Sequence, residues 1–356
     1  MKPISTVRAA LVLGVVVAPL TAAHGQDAAA PAAQPLFESD APLELRLAVD
    51  LRTLINDRDS LERTEHPAVI TYRIGDAAPV SLDVDVRTRG HWRRQRRNCD
   101  FPPLRLDLPR GDVGGTEFAN QDKLKLVTPC RPGRSEYEEY VLREYLVYEI
   151  HNLLTPRSLR ARLARITYVD TTGREDSLTT HAFLLEDADA MATRNGGRRL
   201  ETPGGRFEDM DSVRLGLAAV FLYMIGGTDW SLSGLHNIEL MLDEQRHIYY
   251  PVPYDFDWTG IVNTSYAVPD RRLRIKSVRD RLYRGPCLSA DHWNAVLATF
   301  RERKAEIYAL YETVPGLSAG YVRDTHRYLD AFYEVIDDPG KFNRELINRC
   351  RTREGV

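Results

Sequence analysis

Asp229, Asn237, Asp255 and Asp257 fall within one stretch, residues 225–263, reading IGGTDWSLSGLHNIELMLDEQRHIYYPVPYDFDWTGIVN. Two β-like runs, 238–242 and 247–252, separate the first pair from the second, and the polar residues 243–246 suit a hairpin turn. Folding that hairpin brings all four oxygen-bearing side chains to one end of it. Such a donor set suits a hard cation, which takes one or two carboxylates and fills its other positions with water and phosphate oxygens. An Asp, then an Asn, then an Asp past a hairpin also matches how phosphoryl-transfer sites supply a base and metal ligands. The bland alternative is turn chemistry, because Asp and Asn collect wherever the backbone bends. The flanks argue against it: Tyr249, Tyr250, Tyr254, Phe256 and Trp258 surround the acidic pair, and carboxylates against apolar walls need a cation or hydrogen bonds to stay ionised.

YPVPYDFDWTG at 250–260 resembles the P-W-D-L-D-x-x-x-G segment of the CotH-type spore-coat kinases, an atypical protein-kinase family, and TDWSLSGLHNIEL at 228–240 resembles the N-x-D … N-Y-x-L segment before it. Further echoes follow in family order: RTRGHW at 87–92, LKLV at 124–127, YVLREYLVYEI at 140–150, and TTGRED with AFLLED at 171–187. The resemblance implies an α+β, two-lobed kinase-like fold, with an antiparallel N-lobe sheet over residues 41–195 and a C-lobe over 196–356. It implies transfer of the γ-phosphoryl group of ATP to a protein Ser or Thr hydroxyl, with Mg²⁺ or Mn²⁺. Asp229 would orient or deprotonate the acceptor, Asn237 and Asp255 would hold metal, and Asp257 is the alternative ligand. Glu186 corresponds to a glutamate placed beside the nucleotide.

Several elements must position these groups. Segments 43–50, 68–74 and 80–88 carry strand patterns, clearest in VSLDVDVRT, and are expected to form an antiparallel sheet with one wet face. Arginines 87, 89, 93, 94, 96 and 97 follow, broken by Gly90. They read either as a solvated turn or as a phosphate-facing loop, in which Arg89 and the Gly90 backbone approach the anion. Residues 99–108 and 123–127 read as strands. Lys123 and Lys125 share one face of the second, and Lys125 is the first choice for the nucleotide lysine, with Lys123 next. Residues 135–154 form a helix whose Glu144 either pairs with that lysine or is exposed. Strands at 163–170 and 177–185 end at Glu186 and Asp187, which equally suit the N-terminus of a helix at 188–194. A Gly-rich loop at 195–205, a helix at 209–224, a basic loop at 263–284, and helices at 289–314, 319–336 and 342–351 complete the chain.

Residues 1–25 have Lys2 and Arg8 ahead of an apolar run and small residues near Ala23, the layout of a cleaved signal peptide, and 26–40 reads as a disordered linker. Its removal takes the net charge from −3 to −5, by loss of those two cations, which is unlike a nucleic-acid or anionic-membrane binder. A periplasmic or secreted location is expected, with no membrane-spanning segment in the mature chain. Cys99, Cys130, Cys287 and Cys350 lie in no CxxC pair, so two disulfides, 99–130 and 287–350, are preferred to a zinc site. The nucleophile elbow G-x-S-x-G, the HExxH pair and the P-loop are all missing. The remaining rivals are a catalytically silent binding module and a metal-dependent phosphoester hydrolase.

Overall fold

Strand β3 (Val80–Thr88) buries Leu82, Val84, Val86 and Thr88 and exposes Asp83 and Asp85 between them, as its alternation requires. The computed structural model, which describes residues 34–58, 64–108 and 113–354, makes this strand part of a closed barrel. Around the barrel the order is β1 (Leu43–Val49), β2 (His66–Arg73), β3, β4 (Leu104–Asp107), β5 (Lys123–Val127), β7 (Leu178–Leu185) and β6 (Ala161–Asp170). All neighbours are antiparallel except the closing pair, where β1 runs parallel to β6 from Leu43 beside Ala164 to Val49 beside Asp170. Leu47, Ile70, Val84, Leu106, Leu124, Ile166 and Leu184 fill the interior. Short helix α1 (Leu51–Asn56), capped by Asp50, follows β1.

This closed mixed barrel overturns the expected two-lobed kinase-like fold with an antiparallel N-lobe sheet. The alternation in β1 and β3 marks the buried face of each strand, but carries no signal for which edges meet. Pairing β1 with β6 joins residues more than a hundred positions apart, and it abolishes both sheet edges at once.

Helix α2 (Ser135–Leu154) has the bounds its pattern predicts, with Glu136 and Glu138 in the first turn. It lies against β7, and its other faces join a second core shared with the C-terminal half. Then come α3 (Ala188–Arg194), β8 (Gly197–Leu200), α4 (Ser212–Ile225), β9 (Ile238–Asp243) and β10 (Ile248–Pro253), with the strands in the antiparallel order β10, β9, β8. Strand β8 occupies part of the segment expected as a loop. Its GRRL sequence has no buried alternation, and pairing with β9 supplies what side chains do not.

The basic segment 263–284 contains one 3₁₀ turn, Arg271–Leu273. The single helix expected over 289–314 is two, α5 (Ala290–Glu302) and α6 (Lys304–Thr313), broken where Arg303 adopts φ −91° and ψ 1°. Helices α7 (Ala319–Asp337) and α8 (Pro339–Glu345) follow. Both expected disulfides, Cys99–Cys130 and Cys287–Cys350, are present. Among the described residues no helix is long and apolar enough to cross a membrane. The signal-peptide segment lies outside them. Of the linker expected over 26–40, Pro35–Phe37 is a 3₁₀ turn that buries Leu36 and Phe37.

Candidate functional site

Helix α4 ends at Gly226, whose φ of 70° reverses the chain toward Asp229. A side chain there would collide with the Tyr328 hydroxyl, so the position requires glycine twice over. The β9–β10 register, which sets Ile238 beside Pro253, places Asn237 and Asp255 just beyond the same end of the hairpin. Asp229, Asn237, Asp255 and Asp257 accordingly line one cavity of about 230 Å³, which Arg89, Arg93 and Glu144 also line. The two acidic clusters separated in sequence are neighbours in space.

Neither Asn237 (φ 52°) nor Asp255 (φ 62°) is glycine, yet both hold left-handed backbone conformations. Such positions cost on the order of 1 kcal/mol each and persist only where surroundings enforce them. The enforcing contacts are local. Asp255 N–H donates to the Tyr148 hydroxyl from α2 (2.9 Å), and the Asn237 carbonyl accepts from Tyr254 N–H (3.1 Å). Asn237 Nδ2 donates to the Asp229 carbonyl oxygen at 2.7 Å, and the Asp229 carboxylate pairs with His236 Nε2 at 3.0 Å. That hydrogen bond raises the imidazole pKa.

Asp257 is buried, accepts from the Tyr266 hydroxyl at 3.1 Å, and lies 3.9 Å from Arg93. Burial, and then the neighbouring Asp255 charge, pushes its carboxyl up to about 7, against the pull of Arg93. Burial followed by Asp257 and Asp255 likewise holds Glu144 well above the carboxylate range. Trp92 stacks on Tyr266 with centroids 5.1 Å apart and meets Trp258 edge-on at 5.6 Å, forming the aromatic wall. Tyr148 and Tyr266 were not singled out from the sequence. The first reads as one more apolar position of a helix, and the second lies in an aperiodic loop.

The expected nucleotide group divides. Arg89 lines the cavity, and its side chain also donates to the Leu104 carbonyl oxygen at 3.1 Å. Lys125 does not line the cavity: it lies 4.0 Å from Glu239 and 4.7 Å from the centre of the Tyr254 ring, and Glu144 is in the cavity rather than on the lysine. Burial, then Arg89, lowers the Lys125 pKa, while Glu239 and Asp255 oppose them. Lys123 sits beside Asp107 (4.0 Å) on the barrel wall. Glu186 is fully buried in a two-pronged pair with Arg194 (2.9 and 2.8 Å) and accepts from Arg160 N–H, while Asp187 caps α3. Neither Lys123 nor Glu186 lines the cavity. Glu239 gave no sequence signal, because a lone acidic residue in a strand reads as exposed.

Among the described residues no group of three or more His, Cys, Asp or Glu is arranged to enclose a metal ion. Asn237, Asp255 and Asp257 offer two carboxylates and an amide oxygen at one cavity wall. That set fits a cation which keeps waters and completes its shell with phosphate oxygens. The chain matches no family model and no curated protein.

Proposed function

We propose that the chain is an exported phosphotransferase related to the CotH-type kinases, moving the γ-phosphoryl group of ATP to a protein Ser or Thr hydroxyl. The observation that carries this reading is the convergence of Asp229, Asn237 and Asp255 on a single cavity that Arg89 and Arg93 also line. Phosphoryl transfer asks for little covalent chemistry from a protein beyond positioning and charge stabilisation, and these residues supply both. Asp229, about half exposed and facing the cleft, takes the acceptor's proton as its oxygen bonds to the γ-phosphorus and the bond to the β-phosphate oxygen breaks. Arg89 and Arg93 face the phosphates as fixed cations. Asn237 and Asp255, with Asp257 beside them, would hold Mg²⁺ or Mn²⁺, which when bound neutralises charge on the phosphate oxygens. The barrel replaces a kinase N-lobe as the wall carrying Arg89 and Lys125, so the proposal rests on the site and not on the fold. Two disulfides support export to an oxidising compartment, periplasmic or extracellular.

Thermal-shift and calorimetric titration with ATP, with and without Mg²⁺, tests the reading. Stabilisation by ATP only with metal, abolished in Asp255→Ala while the fold is retained, is the expected result. Unchanged ATP affinity in that variant refutes the assignment, and no response to any nucleotide favours a silent binding module. Metal-dependent release of phosphate without an acceptor points to a hydrolase.

A further inference from the structure

The Asp229 side chain borders two cavities: the acidic one, and an adjoining one of about 250 Å³ walled by Thr228, Trp258, Val268 and Val278. About half exposed, its carboxylate has room to turn toward either. A base that divides its time between two spaces is productive in only one of them.

His236 supplies the direction. Its Nε2 lies 3.0 Å from Asp229 Oδ1, and it lines the acidic cavity but not the adjoining one. An ionised carboxylate only accepts hydrogen bonds, so Nε2 carries a hydrogen whether the imidazole is neutral or charged. The bond is therefore made in either charge state. Among the described residues the other donor to this carboxylate is Asn237 Nδ2, which is 3.4 Å from Oδ2 and is held at 2.7 Å by the Asp229 carbonyl oxygen. Two consecutive residues thus grip Asp229 at two points, Asn237 by its main chain and His236 by its side chain.

The backbone around His236 is arranged to aim it. Ser231 and His236 exchange both hydrogen bonds of an isolated antiparallel bridge (3.0 and 2.9 Å), and Ser231 Oγ accepts from Gly234 N–H at 3.0 Å. The short loop closed in this way turns at Leu235, whose φ of 48° is left-handed. Bulky side chains rarely adopt that conformation, and here a glycine stands one position earlier. An exposed histidine–carboxylate pair contributes little to stability, so it does not offset the strain at Leu235. Strained backbone of this kind collects where the direction of a side chain matters to function.

We propose that His236 is a positioning residue, its Nε2–H holding Asp229 Oδ1 so that Oδ2 faces the acceptor hydroxyl in the acidic cavity. This role rests on the phosphotransfer reading above and concerns orientation alone. The imidazole exchanges no proton with the substrate.

A double-mutant cycle on the full chain tests it, with γ-labelled ATP, Mg²⁺ and dephosphorylated casein as the Ser-bearing acceptor. His236→Ala is expected to lower kcat on the order of thirtyfold, with the KM for ATP and the unfolding midpoint nearly unchanged. The same substitution in an Asp229→Asn background costs under about twofold, because no carboxylate is left to aim. His236→Gln, whose side-chain N–H can reach the same oxygen, keeps kcat within about threefold of the parent. An unimpaired Ala variant, equal losses in the two backgrounds, or a Gln variant as slow as the Ala variant overturns the proposal and leaves phosphotransfer standing. A loss that appears in the KM for ATP or in the unfolding midpoint instead of kcat also overturns it, since His236 is then structural. A parent chain that moves no phosphate to casein or to itself, with Mg²⁺ or Mn²⁺, removes the transfer reading and the role with it.

Discussion

The Lys125 ammonium stands 4.0 Å from the Glu239 carboxylate, joining β5 of the barrel to β9 of the small sheet. Arg199 Nε donates to the same carboxylate at 2.7 Å, so Glu239 is already neutralised without the lysine. Lys125 is therefore dispensable as a strut, and although it does not line the cavity, the proposed phosphotransferase reading gives it the nucleotide's anion as a partner. Lys125→Met is expected to weaken binding of ATP with Mg²⁺ about tenfold, the loss of one charge-assisted contact, and to leave the unfolding midpoint nearly unchanged. Calorimetry on the two proteins decides it; equal affinities would make Lys125 a strut after all.

Glu186 leads to the opposite expectation. Its carboxylate is fully buried, takes both prongs of Arg194 and the Arg160 N–H, and does not line the cavity. Glu186→Ala strands a largely buried guanidinium and is expected to cost about 3 kcal/mol in urea unfolding, with ATP affinity unaltered in the folded fraction. A loss of affinity without loss of stability would return Glu186 to the nucleotide.

The difference between these two residues shows where the sequence was legible. Local signals carried well: the alternation of β3, the helical pattern of α2 and the paired β9–β10 runs emerge with bounds within a residue or so, because short-range periodicity specifies which face is buried. The hairpin also explains why Asn237 and Asp255 could be placed together, since its register alone brings them there. Long-range pairing was not legible. Nothing in LELRLAV announces a parallel partner in β6, and without that pairing the strands read as an open sheet. Side-chain partners across the fold were equally hidden. The Lys125–Glu239 contact depends on how the small sheet docks on the barrel, and the burial of Glu144 depends on α2 facing the cavity instead of solvent. Arg303 broke a helix that its flanking residues would have continued.

His151 supplies a pH dependence unconnected with the acidic cluster. It is buried on α2 with its ring stacked 4.6 Å from that of Phe221, and burial pushes its pKa down to about 3. Between about pH 6.5 and that value the unfolded chain binds a proton that the folded chain refuses, so this group lowers stability as the solution is acidified. Above pH 6.5 it contributes no slope. The loss is about 1.4 kcal/mol per pH unit, giving about 2 kcal/mol between pH 7 and pH 5. His151→Phe should lose about 2 kcal/mol less than the parent over that interval in denaturant titrations, whatever its absolute stability. Parallel stability curves for the two proteins would show that the imidazole accepts a proton without unfolding.

The loop carrying Asp229 is held from behind by the far end of the chain. Both oxygens of Glu354 accept backbone N–H groups, from Leu232 and Ser233, each at 2.5 Å. The tail reaches that position because Arg351 is hydrogen-bonded to Gly285 and Cys287, and Cys350 is cross-linked to Cys287. Arg284 fixes the start of the same loop through the Thr228 and Trp230 carbonyls, so Asp229 is flanked by two anchors. Removing one anchor should loosen the loop without touching the barrel. In Glu354→Ala, amide hydrogen exchange across residues 228–236 is expected to accelerate about tenfold, since two charge-assisted hydrogen bonds are lost, while β1–β7 keep their protection. Because a base displaced by a fraction of an ångström loses its geometry with the acceptor, phosphate transfer should fall in the same variant more than ATP affinity does. If exchange in 228–236 were unchanged, the Arg284 contacts alone would hold Asp229 in place, and the tail would have no bearing on the site.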